Sequence, residues 1–298
     1  MDSLNKIEFE KPDLSDLTRH YTVADLHFHT HYSDGMNPVK AVAKRAETLG
    51  IGIAITDHND IRGAVEIGSY KQILSIPGIE ITSREGTHLL VYFYDTASLK
   101  AFYREDIKPY MGNGVMSSTL LEMEDLIRRA RKFKTVVILP HPYCAAYTGV
   151  QNLQFPKERL DKLFHMVDGV EVLNAGNLKK WNLQCAVLGF NLDKGIVGGS
   201  DGHCLSHMGR AVTYSDCKKT RKDLLDAIRR KETKVIGKEV NFIRKVTDNS
   251  RKLQHNFKHY PALVEKNLRY GCTVINSKSR TFRDTVLRSI NDRLQKAS

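Results

Sequence analysis

The chain has 298 residues, of which 41% are hydrophobic and 27% charged, a composition typical of globular proteins that bury a core. No apolar run approaches the roughly 20 residues of a membrane span, and the N-terminal residues lack the pattern of a signal peptide. We therefore expect a cytoplasmic protein without a membrane partner. The five cysteines are scattered and include no Cys-x-x-Cys pair, which argues against a disulfide framework and against a thiolate metal site.

The net charge of +12 is unevenly distributed along the chain. Residues 238–298 contain 14 Lys and Arg against 5 Asp and Glu, whereas the preceding 237 residues contain 32 against 29. We call residues 238–298 the basic extension. Its charge could bind a polyanion such as nucleic acid, or it could form a solvated surface that keeps the protein soluble. Charge alone leaves both interpretations open.

The first predicted segment is an N-terminal arm or covering segment, residues 1–21, which is polar and lacks a clear period. From Thr22, short β-branched runs alternate with amphipathic segments, which predicts a main domain over residues 22–237. The predicted strands are 23–28, 51–56, 76–82, 88–94, 135–140, 169–174, 195–200 and 211–215.

Two helices between these strands have recognisable start signals. The first covers residues 38–49, with Asn37 as its N-cap and Gly50 after its end. The second begins near Thr119, because Thr119 and Glu122 have the spacing of a capping box. Alternating strands and helices predict an α/β fold with a largely parallel sheet, either closed into a distorted barrel or open and doubly wound.

The basic extension has a different pattern, which predicts mainly helical structure. A short helix is predicted between Pro261 and Gly271. A second, amphipathic helix is predicted over residues 280–296, where apolar side chains recur at four-residue steps: Phe282, Val286, Ile290 and Leu294. We expect this apolar stripe to pack on the main domain.

Histidine and carboxylate side chains occur at the ends of several predicted strands. Residues two apart in a strand point to the same face, so His27 and His29 are expected to project together. Further groups follow other strands, in the segments SDG at 33–35, TDHN at 56–59, PHP at 140–142 and GSDGH at 199–203, and strand 76–82 contains Glu80. In α/β barrels the carboxyl ends of the strands form the active-site face. The sequence therefore predicts one cluster of titratable groups, which metal ions or hydrogen bonds must compensate.

The segments DLHFHTHYSDG, ITDHND, GIEIT, PHPY and GSDGH resemble, in order, the motifs of the PHP (polymerase and histidinol phosphatase) family. The resemblance spans residues 22 to about 215, most of the chain. It implies a distorted (βα)7 TIM-like barrel of the PHP type with a two- or three-metal cluster. The family includes phosphomonoesterases, nucleotide and oligonucleotide phosphoesterases, and polymerase-associated exonuclease domains.

The resemblance also implies individual roles for residues. Three groups of metal ligands are expected: His27, His29 and Asp201; Asp34, His58 and His203; and Glu80, His88 and His141, with Glu80 bridging to the first group. His31 lies nearby but is not expected to bind metal. Asp25 and Asp57 fit carboxylates that orient the ligand histidines.

The implied chemistry is hydrolysis of a phosphate ester by a metal-activated water, without a protein nucleophile. Nitrogen and oxygen ligands suit two or three divalent ions, Mn²⁺, Zn²⁺ or Fe²⁺, and ligand type does not choose among them. Arg62, Arg84, Asn174 and His207 are the candidate contacts to the phosphorylated substrate. His207 is also a candidate proton donor to the leaving oxygen.

Three functions remain in view from the sequence. The first is hydrolysis of a phosphomonoester, a nucleotide or a short oligonucleotide. The second is a nuclease or nucleic-acid-processing enzyme that uses the basic extension, whose aromatic side chains could stack on bases. The third is a non-catalytic metal-binding scaffold or regulatory domain. The sequence does not indicate the oligomeric state.

Overall fold

The computed structural model describes residues 6–144, 148–151 and 155–240, so the helices predicted within the basic extension lie outside the described residues. The strands are β1 Ile7–Glu8, β2 Thr22–Phe28, β3 Gly52–Ile55, β4 Ser75–Thr82, β5 His88–Phe93, β6 Thr135–Leu139, β7 Gly169–Asn174, β8 Gly195–Gly199, β9 Ala211–Ser215 and β10 Lys234–Gly237. The helices are α1 Leu14–His20, α2 Val39–Leu49, α3 Arg62–Ile67, α4 Thr96–Phe102, α5 Met123–Ala130, α6 Lys157–Met166, α7 Lys179–Leu192 and α8 Arg221–Arg229.

All ten strands form one curled sheet in the order β1-β10-β9-β2-β3-β4-β5-β6-β7-β8. This curled sheet with intervening helices confirms the predicted barrel-like α/β fold. The sheet is less parallel than expected, because five of the nine strand pairings are parallel and four are antiparallel. The five residues between β4 and β5 are too few for a parallel crossover, so these strands pair as a hairpin.

The sheet curls so that β8, the strand at one end of the order, meets β2 and β9 along a seam. The Gly198 backbone N–H donates to the Thr213 hydroxyl at 2.8 Å, and that hydroxyl donates to the Gly198 carbonyl at 2.9 Å. Just beyond the strands, the His29 N–H donates to the Gly202 carbonyl at 2.9 Å. Residues from the first strands of the main domain and residues near position 200 are thus held together at one end of the barrel, which we call its mouth.

A register shift in β2 determines which of its side chains face the mouth. Val23 and Phe28 pack in the core cluster under α2, whereas Ala24 and Leu26 pack in a different cluster. Simple alternation cannot place both pairs in this way, and the pairing of β2 with β3 is irregular between Asp25 and Phe28. Such bulges re-aim side chains next to active sites.

The N-terminal segment contributes to the barrel. Strand β1 pairs in parallel with β10, and Leu14 and Leu17 of α1 pack against the cluster that contains Val23 and Ile51. The four described cysteines are free: Cys144, Cys185, Cys204 and Cys217. Among residues 6–144, 148–151 and 155–240, every helix is too short or too polar to cross a membrane.

Two predicted helix starts are wrong. Helix α2 begins at Val39 with Pro38 at the cap position, and the Asn37 side chain instead accepts a hydrogen bond from the Leu205 N–H at 3.1 Å. Helix α5 begins at Met123, because both the N–H and the hydroxyl of Thr119 donate to the Thr82 carbonyl. In both cases a contact with a residue distant in the sequence replaces the local cap.

Candidate metal centre

Nine buried or half-buried His, Asp and Glu side chains converge at the mouth of the barrel. They form four overlapping groups in which the potential ligand atoms lie within 4.8 Å of one another: His29, Asp34, His58 and His203; His27, His29 and Asp201; His27, Glu80 and His141; and His58, Glu80 and His88. The structure therefore brings together all nine residues that the sequence singled out as candidate ligands.

Glu80, on β4, lies at the centre of this cluster and is almost completely buried. Its Oε2 atom is 3.3 Å from His27 Nε2, 3.4 Å from His29 Nε2 and 3.1 Å from His58 Nδ1. Its Oε1 atom is 2.8 Å from His88 Nδ1 and 3.2 Å from His141 Nε2. One carboxylate thus contacts five imidazole rings.

The remaining ligand candidates lie on either side of Glu80. Asp201 Oδ1 is 3.2 Å from His29 Nε2, and Asp34 Oδ2 is 3.1 Å from His203 Nε2. The geometry matches the expected grouping of His27 and His29 with Asp201. It differs from the expected third group, because His88 and His141 approach Glu80 beside different histidines, His58 and His27 respectively.

The electrostatics of the cluster depend on these mutual contacts. Burial raises the pKa of Glu80, but the neighbouring His88, His27 and His58 outweigh it and hold that pKa well below its ordinary value. Burial lowers the pKa of His27, but Glu171, Glu80 and Asp201 outweigh it and hold that pKa well above its ordinary value. The carboxylates thus favour a protonated ring at His27, whereas burial outweighs them at His58 and holds the pKa of that ring well below its ordinary value.

The cluster has the features of a site for divalent cations. Several buried atoms have no hydrogen-bond partner among the described residues: His27 Nε2, His29 Nδ1 and Nε2, His58 Nδ1 and Glu80 Oε2. Unsatisfied buried polar groups are costly, and nitrogen and oxygen lone pairs that face one another are what a shared cation would bind. The residues present fit the divalent ions that the sequence leads us to expect.

Backbone strain is concentrated around the mouth. Asn59, His141 and Asp201 have φ angles of 47°, 29° and 47°, in the left-handed region that residues other than glycine seldom adopt. Asn59 directly follows the candidate ligand His58, and the other two residues are candidate ligands themselves. Such strain commonly marks functional loops that the surrounding contacts over-determine.

Asp25 and Asp57 are fully buried and bind backbone and hydroxyl groups near the cluster. Asp57 accepts hydrogen bonds from the Thr30 N–H, the Thr30 hydroxyl and the Ser33 hydroxyl at 2.6–2.7 Å. Asp25 accepts from the backbone N–H groups of Ser200 and Gly209 at 2.9 Å. These two carboxylates therefore hold the loops that carry the ligand candidates.

Sequence reasoning missed Glu171, which lies beneath the cluster on β7. Its Oε1 atom is 3.0 Å from His27 Nδ1, and its Oε2 atom accepts from the His141 N–H and from Asn174 Nδ2, both at 2.9 Å. Asn174 Nδ2 is also 3.3 Å from Asp201 Oδ2. The sequence did contain a signal for this residue. Glu171 is the one charged residue in the strand GVEVLN, which is buried on both faces, and a charged residue in such a strand needs a partner.

The other candidate substrate contacts have partners of their own. Arg62 makes an ion pair with Asp60 and lies over the Tyr32 ring, with its guanidinium carbon 4.6 Å from the centroid. Arg84 pairs with Glu122 and is largely exposed. His207 is buried, and its backbone N–H donates to the Cys204 carbonyl. Contact of these three side chains with a substrate stays a prediction.

Comparison with known proteins identifies the family. The family model of the PHP domain matches residues 25–231. An uncharacterised protein of Methanocaldococcus jannaschii is 30% identical over 168 residues, which cover 51% of this chain and 81% of that protein. The chain belongs to the PHP domain family.

Solved structures share the fold. A two-domain protein from Bacteroides vulgatus, containing a predicted PHP-like metal-dependent phosphoesterase, has a TM-score of 0.54 at 20% identity, with 78% of this chain and 68% of that chain covered. The lesion-specific endonuclease PfuEndoQ from Pyrococcus furiosus has a TM-score of 0.57 at 17% identity, with 72% of this chain and 57% of that chain covered. PsfC from Pseudomonas syringae has a TM-score of 0.57 at 17% identity, with 79% and 99% covered.

Proposed function

We propose that this protein is a metal-dependent phosphoesterase whose substrate is a phosphomonoester, a nucleotide or a short oligonucleotide. The observation that carries the proposal is the overlap of four potential ligand groups around Glu80. A single structural ion needs only one closed group of ligands, whereas groups that share His27, His29, His58 and Glu80 suit two or three ions close together.

The nine clustered side chains would hold these ions, and Mn²⁺, Zn²⁺ and Fe²⁺ all accept such nitrogen and oxygen ligands. Bound divalent ions supply activation of a water and neutralisation of charge on the phosphate oxygens. The chain itself keeps the ligand loops rigid through Asp25 and Asp57. His207 is our candidate for donating a proton to the leaving oxygen, and Arg62, Arg84 and Asn174 for contacting the substrate.

The first experiment compares Asp201→Asn with Asp193→Asn. Both aspartates have a φ angle of 47°, which asparagine tolerates, but Asp193 is an exposed residue paired with Lys231. We expect Asp201→Asn to lower the affinity for metal, and the rate of hydrolysis of aryl phosphates and nucleotides, by at least about 100-fold. Asp193→Asn should match the unaltered protein. Absence of turnover with all three metals across the substrate panel would refute the proposal.

A nuclease is the second candidate, favoured by the fold shared with PfuEndoQ and by the charge of the basic extension. A structure of endonuclease Q with a 27-mer duplex carrying an abasic lesion also shares the fold, with a TM-score of 0.55. The test is binding and cleavage of labelled oligonucleotides by the full chain at several salt concentrations. Replacing Arg244, Lys245, Arg251 and Lys252 with Gln should weaken binding and flatten its salt dependence. An unchanged salt slope would eliminate this candidate.

A further inference from the structure

The side chain of Glu171 is the strongest unassigned feature next to the cluster. It is 1% exposed, and its carboxylate contacts three groups from three different segments: the His27 ring on β2, the His141 backbone after β6, and the Asn174 amide at the end of β7. Burying an ionisable group at this depth is costly unless its hydrogen bonds compensate the loss of water. These contacts satisfy both of its oxygens.

We propose that Glu171 is a positioning residue that selects the tautomer of His27 and holds the strained His141 loop, and thereby pre-forms one side of the metal centre. This inference rests on the proposed function, because it assumes that the cluster binds divalent ions. In this proposal Glu171 raises metal affinity without itself contacting the metal or the substrate.

The tautomer argument follows from hydrogen-bond chemistry. A carboxylate only accepts hydrogen bonds, so the contact of 3.0 Å between Glu171 Oε1 and His27 Nδ1 places the proton on Nδ1. The lone pair of the neutral ring is then on Nε2. That atom faces Glu80 Oε2 at 3.3 Å and Asp201 Oδ1 at 3.6 Å, inside the cluster. A ring in the other tautomer would present a proton to a cation.

The second contact acts on the backbone. His141 has a φ angle of 29°, and its N–H donates to Glu171 Oε2 at 2.9 Å. The ring of His141 stacks on that of His27 with a centroid separation of 5.8 Å. The same carboxylate therefore fixes two candidate ligands that come from different strands, one through its ring and the other through its main chain.

The variant Glu171→Gln separates this role from general stability, because it keeps the size and shape of the side chain. A Gln oxygen facing the His141 N–H and Asn174 satisfies two donors, and the amide NH₂ then faces His27 Nδ1. His27 must in that case accept at Nδ1 and carry its proton on Nε2, towards the cluster. We expect a loss of metal affinity of about 10- to 100-fold.

The measurement is metal titration by calorimetry, together with ¹⁵N NMR of the histidine rings in the metal-free protein at a pH high enough for the His27 ring to be neutral. The matched control is Asp106→Asn, which removes a buried carboxylate paired with Arg129 and Lys132. It should leave metal affinity unchanged. In a His27→Ala background, Glu171→Gln should add less than about half of its usual loss, because it acts through His27.

The possible outcomes are distinct. Absence of metal binding by the unaltered protein would overturn the proposed function. Binding by the unaltered protein and equal binding by Glu171→Gln would overturn only the role of Glu171. A loss that is fully additive with His27→Ala would also overturn it, whereas a neutral His27 ring whose single proton is on Nε2 in the variant would support it.

Discussion

Single residues at the mouth of the barrel carry contacts to several segments at once. Glu80 approaches five histidine rings, and Asp57 accepts three hydrogen bonds from the loop that leads to Asp34. Because each such carboxylate serves several donors, the loss of one leaves more than one buried polar group unpaired. Substitution of one such carboxylate should therefore lower the free energy of unfolding strongly.

Asp57→Ala provides a test of this idea that does not depend on metal. It removes the acceptor for the N–H and hydroxyl of Thr30 and for the hydroxyl of Ser33. We expect the free energy of unfolding, measured with urea and a chelator, to fall by about 2–4 kcal/mol. The control Asp125→Ala removes an exposed partner of Arg128 and should change it by less than about 0.5 kcal/mol. Equal effects of the two variants would contradict the proposed role of Asp57.

Metal binding should release protons. In the metal-free protein, nearby carboxylates outweigh burial and raise the pKa of His27, and contacts with Cys144 and Glu80 do the same for His141. A raised pKa extends protonation to higher pH, so a cation must displace protons over the range below that pKa. Affinity is expected to rise as the pH is increased above the ordinary histidine pKa of about 6.5, until these rings are neutral. Calorimetry in buffers of different ionisation enthalpy would detect the released protons, and a pH-independent affinity would count against this account.

The sequence identified these residues unevenly. Eight of the nine candidate ligands lie in the five short motifs and His88 lies outside them, and all nine reach the cluster. Glu171 was not predicted, because a lone Glu within an apolar strand does not reveal which ring it contacts. The pairing of Arg84 with Glu122 was equally inaccessible, since it joins residues whose proximity depends on the loop between β4 and β5.

At the scale of elements, the seam beside β2 depends on glycine. A Cβ atom on Gly199, at the end of β8, would lie 2.4 Å from the Cβ of His27 and 2.8 Å from its backbone nitrogen. No side chain can occupy that space without separating β8 from β2. The glycine therefore allows the close backbone approach that brings His27 and Asp201 together.

Gly199→Ala should widen the seam. We expect the free energy of unfolding to fall by about 1–3 kcal/mol and metal affinity to fall with it, as measured by urea denaturation and calorimetry. Gly114→Ala is a suitable control, because no described heavy atom lies within 4 Å of the added carbon. The control should cause no loss of stability. Unchanged metal affinity in Gly199→Ala would show that the seam does not position the site.

Elements were predicted best where burial dominates. All eight predicted strands are present, and their limits agree within one residue, because most of them are runs of β-branched, aromatic or other apolar residues. Strands β1 and β10 were missed, since they are short and carry few apolar residues. Strand direction was mispredicted for a different reason. Parallel or antiparallel pairing depends on which strands become neighbours, which periodicity does not specify.

At the scale of the whole molecule, metal binding and folding should be coupled. The candidate ligands extend from His27 to His203, so ions would bind the folded chain and not the unfolded one. Chelation is expected to lower the melting temperature by about 5–10 °C relative to protein with metal at about 100 times its Kd. Asp201→Asn should lose most of this difference. Equal melting curves with and without metal in the unaltered protein would argue against coupling.

Strands β1 and β10 pair side by side, with Ile7 opposite Val235 and Glu8 opposite Ile236. The path that enters the barrel and the path that leaves it are therefore adjacent at the same edge of the sheet. None of the nine candidate ligands lies on either of these two strands, so this edge of the sheet can be altered without replacing a ligand of the candidate metal centre.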